Sequence, residues 1–142
     1  MAAEKVVVDA SVVVKWFLEE EHSGKALLLR DKFVQGAVEL LSPSLMPYEV
    51  LNALRYSNLY SEEELIGAAE SLEKYGIELW DLRGRYCEEV VRTAVALDIT
   101  LYDASYVALA KLAGAKLVTA DQEVVNKARR VVGALHIRDV ER

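Results

Sequence analysis

Val6-Val7-Val8 sets three β-branched residues in a row near the N-terminus, the mark of a strand buried on both faces, and Asp9 follows directly at its end. The hydrophobic period then changes. Between Ser11 and Glu20, Val13, Trp16 and Phe17 recur at three- and four-residue spacing and predict a helix, which Glu19-Glu20-Glu21 ends as a solvated acidic patch. A second helix is predicted from about His22 to Val34, with Ala26, Leu29 and Phe33 on its buried stripe, Gly36 as its stop, and His22 as a surface residue near its start. Val38 to Leu41 predicts a second strand. Ser42-Pro43-Ser44 then turns the chain, Ser44 is expected to cap the next helix, and that helix runs to about Leu59. Pro47 is tolerated in its first turn, where the missing N–H has no partner to lose.

Further along, Ser61-Glu62-Glu63-Glu64 has the form of a capping box and opens a helix with Leu65, Ala68, Leu72 and Tyr75 on its apolar side, closed by Gly76. Ile77 to Leu82 predicts a third strand, and Arg85 to Leu97 a helix with Tyr86, Val90, Ala94 and Leu97 in register. The stretch from Tyr102 to Ala113 is apolar nearly all round, so it should be a central, buried helix. After Gly114, Lys116 to Thr119 reads as a fourth strand, Ala120-Asp121-Gln122 turns into a last helix to about Val132, and Leu135 to Ile137 adds a short fifth strand. His136 reads there as structural. Short Val/Ile/Leu-rich strands alternating with helices call for an α/β architecture, a mainly parallel central sheet with helices on both faces in three layers. One domain, residues 1–142, is expected, since no linker, repeat or low-complexity segment interrupts the pattern.

Composition narrows the classes. The chain has 142 residues, 53% of them hydrophobic and 28% charged, so it can bury a sizeable core without staples. No apolar run approaches the roughly 20 residues of a membrane span. The opening Met1 to Lys5 is too short and polar for a signal peptide, and a cytoplasmic protein is expected. A single cysteine, Cys87, excludes an internal disulfide and reads as a small apolar filler; with only two histidines, a Cys/His zinc cage cannot be assembled. The net charge of −6 argues against a general electrostatic nucleic-acid binder. It leaves room for an enzyme that clusters acids around divalent cations, because each ion returns positive charge where phosphate arrives.

Asp9, Asp103 and Asp121 each lie at or just before a helix start, and helix capping would account for any one of them alone. Glu49 differs, since it lies inside its helix on a face shared with Leu45, Asn52 and Tyr56; its ordinary reading is an exposed glutamate paired with Arg55 or a lysine. Asp9 and Asp121 both follow strand carboxyl ends closely, and ligands of parallel sheets bind on that rim. Carboxylates converging there repel, and such a site is tenable only if some protonate or cations bind. Oxygen-only donors select hard cations, Mg²⁺ or Mn²⁺, over zinc. A pair of such ions about 3.5–4 Å apart can activate water and stabilise a leaving oxygen in phosphodiester hydrolysis.

The segments Val8-Asp9-Ala10-Ser11 through Val14-Lys15, Tyr48-Glu49-Val50-Leu51-Asn52-Ala53-Leu54, Leu101-Tyr102-Asp103-Ala104-Ser105-Tyr106 and Leu117-Val118-Thr119-Ala120-Asp121 resemble, in order, the PIN domain and in particular the VapC-like toxins of prokaryotic toxin–antitoxin pairs. The resemblance implies a five-stranded parallel sheet and a ribonuclease that cleaves single-stranded RNA. Asp9, Glu49, Asp103 and Asp121 would be its acidic quartet, both catalytic and metal-binding, around Mg²⁺ or Mn²⁺. Ser11, Asn52 and Thr119 match the family's polar neighbours and would orient the ligands or bind metal water. It further implies a homodimer and a cognate antitoxin in the acidic crevice, with Leu54, Leu59, Tyr60 and Leu65 as apolar contact surface. Lys15 would be a phosphate contact or an exposed helical lysine. The chain departs from the family just after Asp121, where Val124 and Val125 stand in place of a frequent aromatic. Three other readings stand beside this one. A PIN-fold module could bind without catalysing, and a non-toxin PIN nuclease could process RNA. A phosphotransfer or receiver domain wants a second acid where Ala10 and Ser11 stand.

Overall fold

A computed structural model describes residues 3–141. Five strands, β1 (Glu4–Val8), β2 (Val38–Pro43), β3 (Glu78–Trp80), β4 (Lys116–Thr119) and β5 (Ala134–His136), run parallel in the spatial order β3-β2-β1-β4-β5. The middle position goes to β1, whose Val6, Val7 and Val8 have no polar side chain to keep wet and are fully buried. In register, Val7 lies beside Leu41 of β2 and Leu117 of β4, so the inner strands form one aliphatic layer.

Parallel neighbours need crossovers, and seven helices supply them: α1 (Ala10–Val13), α2 (Ser23–Val34), α3 (Met46–Tyr56), α4 (Glu62–Tyr75), α5 (Gly84–Leu97), α6 (Leu101–Ala113) and α7 (Gln122–Ala128). The central helix is α6, which packs on β1, β2 and β4 and is backed by α5; α1 packs on α2, α3 and β4, α2 lies on β2, and α4 lies on α3. As its all-apolar sequence predicts, every residue of α6 from Ala104 to Ala110 is buried. Fully buried Leu109 and Leu117 each contribute about 1.5–3 kcal/mol of transfer free energy. The capping box forms at Ser61 and Glu64, and Gly76 closes α4 in the left-handed conformation at φ 67°.

Several boundaries differ from the sequence expectation, each for a local reason. The helix after Asp9 stops at Val13 and tightens into a 3₁₀ turn over Val14–Trp16, and the indole of Trp16 donates to the Ala26 carbonyl at 2.9 Å. Helix α3 ends at Tyr56, not Leu59, because the chain turns through Asn58 at φ 63°. Ser44 does not cap α3; its N–H donates to the Trp80 carbonyl at 2.9 Å, tying the end of β2 to β3. The third strand shrinks to Glu78–Trp80 at the sheet edge. Helix α7 ends at Ala128, short of Val132, as the Gly133 carbonyl is taken by the Leu117 N–H at 2.8 Å and the chain enters β5. His22 is not a free surface residue: it precedes α2 at φ 67° with its ring edge-on to that of buried His136, centroids 5.7 Å apart.

Candidate active site

Asp9 leaves β1 with extended backbone (φ −77°, ψ 150°), and its N–H donates to the Val118 carbonyl at 3.0 Å, so strand pairing fixes its position on the rim. It stands at the helix start but its carboxylate makes no capping bond to the α1 backbone. Instead, Oδ2 accepts two hydroxyl protons, from Ser11 at 2.6 Å and Thr119 at 2.7 Å. Each hydroxyl is itself held by the turn after β4: Ser11 Oγ accepts from the Ala120 N–H at 3.0 Å, and Thr119 Oγ1 from the Asp121 N–H at 3.2 Å. With their lone pairs engaged by amides, both hydroxyls aim their single proton at Asp9. Among the described residues Oδ1 accepts from no side chain. Burial pushes the Asp9 carboxyl above its ordinary value; the Ser11 and Thr119 hydroxyls oppose the rise and the charge of Asp121 adds to it.

Glu49 lies in the first turn of α3, half-buried, and its Oε1 accepts the phenolic proton of Tyr106 from α6 at 2.6 Å. Arg55, the expected partner of an ordinary helical glutamate, instead donates to the Tyr56 hydroxyl at 2.7 Å and stacks on that ring. Burial raises the Glu49 carboxyl, Tyr106 opposes, and Asp9 and Asp103 add to the rise. Asp103 is the third residue of α6 and does not cap it, since Thr100 accepts the Asp103 N–H at 3.1 Å. Its carboxyl too is pushed up by burial first, then by Asp9, Asp121 and Glu123, while Lys127 works the other way. Only Asp121 behaves as a cap, its Oδ1 accepting from the N–H groups of Glu123 at 2.9 Å and Val124 at 3.3 Å.

The four acids therefore meet at the carboxyl ends of β1 and β4, the neighbours between which the strand order reverses direction. A cleft of about 400 Å³ opens at Asp103 and Asp121, lined also by Glu123, Thr100 and Lys127, while Asp9 and Glu49 do not line it. The other predicted residues divide. Ser11 and Thr119 join the site through Asp9, whereas Asn52 is exposed on α3 and, among the described residues, bonds to none of the carboxylates. Lys15 is neither exposed nor in the cleft; its mostly buried side chain pairs with Glu20 at 3.5 Å. Val124 and Val125, at the place of the family's aromatic, are buried on the inner side of α7.

Among the described residues no three His, Cys, Asp or Glu side chains are grouped closely enough to hold a metal ion as they stand. The donor set nevertheless fits a hard divalent cation. It is all oxygen, the charges oppose one another across a shared crevice, and Mg²⁺ or Mn²⁺ keeps several waters and does not require a closed protein shell. Tyr106 is the one partner of the quartet that the sequence pattern hid, because α6 reads as uniformly apolar. Its spacing of three from Asp103 puts the two on neighbouring positions of one helix face.

Fold and site together define a three-layer α/β protein with an acidic crevice at its topological switch point. Residues 6–130 match the PIN domain, and the chain belongs to the PIN-domain family. It is 37% identical over 134 residues, covering 87% of this chain and 94% of the relative, to Ribonuclease VapC3 of Pyrobaculum aerophilum. Exonuclease VapC9 of the same organism is 31% identical over 102 residues, 72% of this chain and 77% of that one. The fold is also similar to VapBC2 from Rickettsia felis bound to a DNA fragment from their promoter, with a TM-score of 0.61, 15% identity, and coverage of 93% of this chain and 98% of that one.

Proposed function

We propose that this chain is a Mg²⁺- or Mn²⁺-dependent endoribonuclease of single-stranded RNA and the toxin of a toxin–antitoxin pair, acting in the cytoplasm. The observation that carries the reading is the convergence of Asp9, Glu49, Asp103 and Asp121 on one rim, where burial first and then the charges of neighbouring acids raise the carboxyls of Asp9, Glu49 and Asp103. Such a cluster costs stability in the apo protein, and cation binding removes that cost. The similarity to relatives named as a ribonuclease and an exonuclease supports a phosphodiester substrate.

In this reading Asp9, Glu49, Asp103 and Asp121 would together hold the ion. When bound, the ion supplies Lewis acidity, polarising the phosphodiester and making water a better nucleophile. Ser11 and Thr119 keep Asp9 in one orientation through Oδ2, so that Oδ1 is the oxygen free of hydroxyl partners. Asp121 is held by the first turn of α7 and keeps its other oxygen for the ligand.

Partners follow the same reading: a homodimer, and a cognate antitoxin that covers the acidic crevice. The apolar contacts expected on α3 and α4 need revision. Leu54 is fully buried, the Tyr60 hydroxyl is engaged by the Phe17 carbonyl at 2.6 Å and Leu65 is part-buried, which leaves Leu59 exposed. Exposed Leu82, Val91, Leu101 and Tyr102, around an apolar hollow between β2, β3, α5 and α6, are the better support for a subunit contact.

A circular single-stranded RNA, which has no ends, tests internal cleavage directly. The protein with Mn²⁺ should linearise it, and Asp103→Asn should not. Digestion of linear RNA alone would overturn the endonuclease reading, and full activity in Asp103→Asn would overturn the site.

A further inference from the structure

Tyr106 reaches the carboxylate cluster from the helix that looks least polar. Its side chain is buried at 3% exposure, yet the hydroxyl has no role in the core: it donates to Glu49 Oε1 at 2.6 Å, across from α6 to α3. That length is typical of a charge-assisted O–H···O⁻ bond, which is about twice as strong as a neutral one. Burial and the charges of Asp9 and Glu49 hold the phenol far above its ordinary range, so it stays protonated and keeps its one proton for Glu49.

The consequence falls on Glu49. Its neighbours Asp9 and Asp103 repel its charge, and a glutamate side chain has three rotatable bonds with which to swing away from them. Asp9 is anchored by two hydroxyls and Asp121 by two backbone amides; the Tyr106 hydroxyl is the corresponding anchor for Glu49. With Oε1 tied, Oε2 is the oxygen left without a hydrogen-bond partner among the described residues.

We infer that Tyr106 is a positioning residue for cation binding: its hydroxyl fixes the Glu49 carboxylate in the rotamer that presents Oε2 to a divalent cation. The inference rests on the proposed metal site. It adds a residue that touches neither the ion nor the RNA.

The test is Mn²⁺ binding to the folded protein, measured by calorimetry without RNA, for Tyr106→Phe, Glu49→Gln, the double variant and Tyr86→Phe. Tyr86 is the control because it is another buried tyrosine of similar depth, but its hydroxyl donates to the Ser105 carbonyl at 2.7 Å, away from the acids. Tyr106→Phe should weaken Mn²⁺ by about 10- to 100-fold, the usual effect of removing a group that orients a metal ligand. Tyr86→Phe should leave affinity unchanged, and Tyr106→Phe should have no further effect once Glu49 is Gln. RNA cleavage by Tyr106→Phe should recover at saturating Mn²⁺, with the metal concentration for half activity raised and kcat near that of the parent.

If Glu49→Gln binds Mn²⁺ as tightly as the parent, the metal-site reading itself fails. If Glu49→Gln loses affinity and Tyr106→Phe does not, the site stands and the role of Tyr106 is refuted. A measurement on the unaltered protein covers the case in which Tyr106→Phe does not fold. The Tyr106 hydroxyl proton should be a slowly exchanging NMR resonance that moves during a Mg²⁺ titration, as a cation at Oε2 draws charge from Oε1, while that of Tyr86 stays in place. A Tyr106 resonance unmoved at saturating Mg²⁺ overturns the inference.

Discussion

Thr119→Val is the sharpest probe of the relay that holds Asp9. The two side chains are nearly isosteric, and Thr119 is fully buried at the end of β4, so packing changes little and the hydroxyl alone is removed. Three contacts go with it: the 2.7 Å donation to Asp9 Oδ2, the 3.2 Å acceptance from the Asp121 N–H and a longer 3.4 Å contact with the Ser11 hydroxyl, of which the first two carry the energy. A hydrogen bond to a charged group is worth about 1.5–3 kcal/mol, and an amide left unpaired costs about 1–3 kcal/mol. Ser11 still donates to Asp9, and part of the turn is open to water, so the net loss should be near the low end, about 3 kcal/mol. At about 3–4 °C per kcal/mol for a chain of this size, the apo thermal midpoint falls by about 10 °C at pH 7. Losing the donor also lifts the Asp9 carboxyl further above its ordinary value of 3.8. The destabilisation is therefore greatest where Asp9 is ionised and shrinks as pH falls toward 3.8, where the acid is protonated in both proteins. Differential scanning calorimetry from pH 8 to pH 4, with Mn²⁺ affinity at pH 7, reads both effects. A loss of 10 °C that is the same at every pH would mean that the hydroxyl serves the turn and not Asp9.

Asp103→Asn should abolish cleavage and raise the apo midpoint at neutral pH. Its carboxyl is pushed up in the native state, so its contribution to stability is full below the ordinary value and is lost as pH rises through the raised one; the gain from Asn should accordingly vanish near pH 4. Mn²⁺ should stabilise the unaltered protein by about 2.7 kcal/mol at one hundred times its dissociation constant, seen as a rise in thermal midpoint that Asp9→Asn eliminates; no rise at millimolar metal would favour a binding module without catalysis. Ser61→Ala, which breaks the capping box of α4 far from the acids, should cost about 1 kcal/mol and leave the Mn²⁺-induced rise unchanged. Light scattering at micromolar concentration should give a dimer mass, and a monomer would count against the homodimer.

The strands, their parallel pairing and the central place of α6 were all legible in the sequence, because each rests on a local pattern that only one environment satisfies. Three valines without a polar position can only be an inner strand, and a helix apolar on every side can only be buried. Asp9 and Asp121 could likewise be set on one rim from their positions after β1 and β4. Element ends were less legible, since the stop of α1 at Val13 and of α7 at Ala128 depends on bonds to distant backbone. The same limit applies to side-chain partners. Sequence could offer Ser11, Asn52 and Thr119 as equals, but only the folded chain aims two hydroxyls at Asp9 and leaves Asn52 outside the relay. It also made Asp103 something other than a cap, turned Lys15 toward Glu20, and brought the Tyr106 hydroxyl to Glu49 across 57 positions of sequence. Periodicity reports which face of an element is buried. Which polar atom meets which across that face is decided by packing between elements, and no local pattern encodes it.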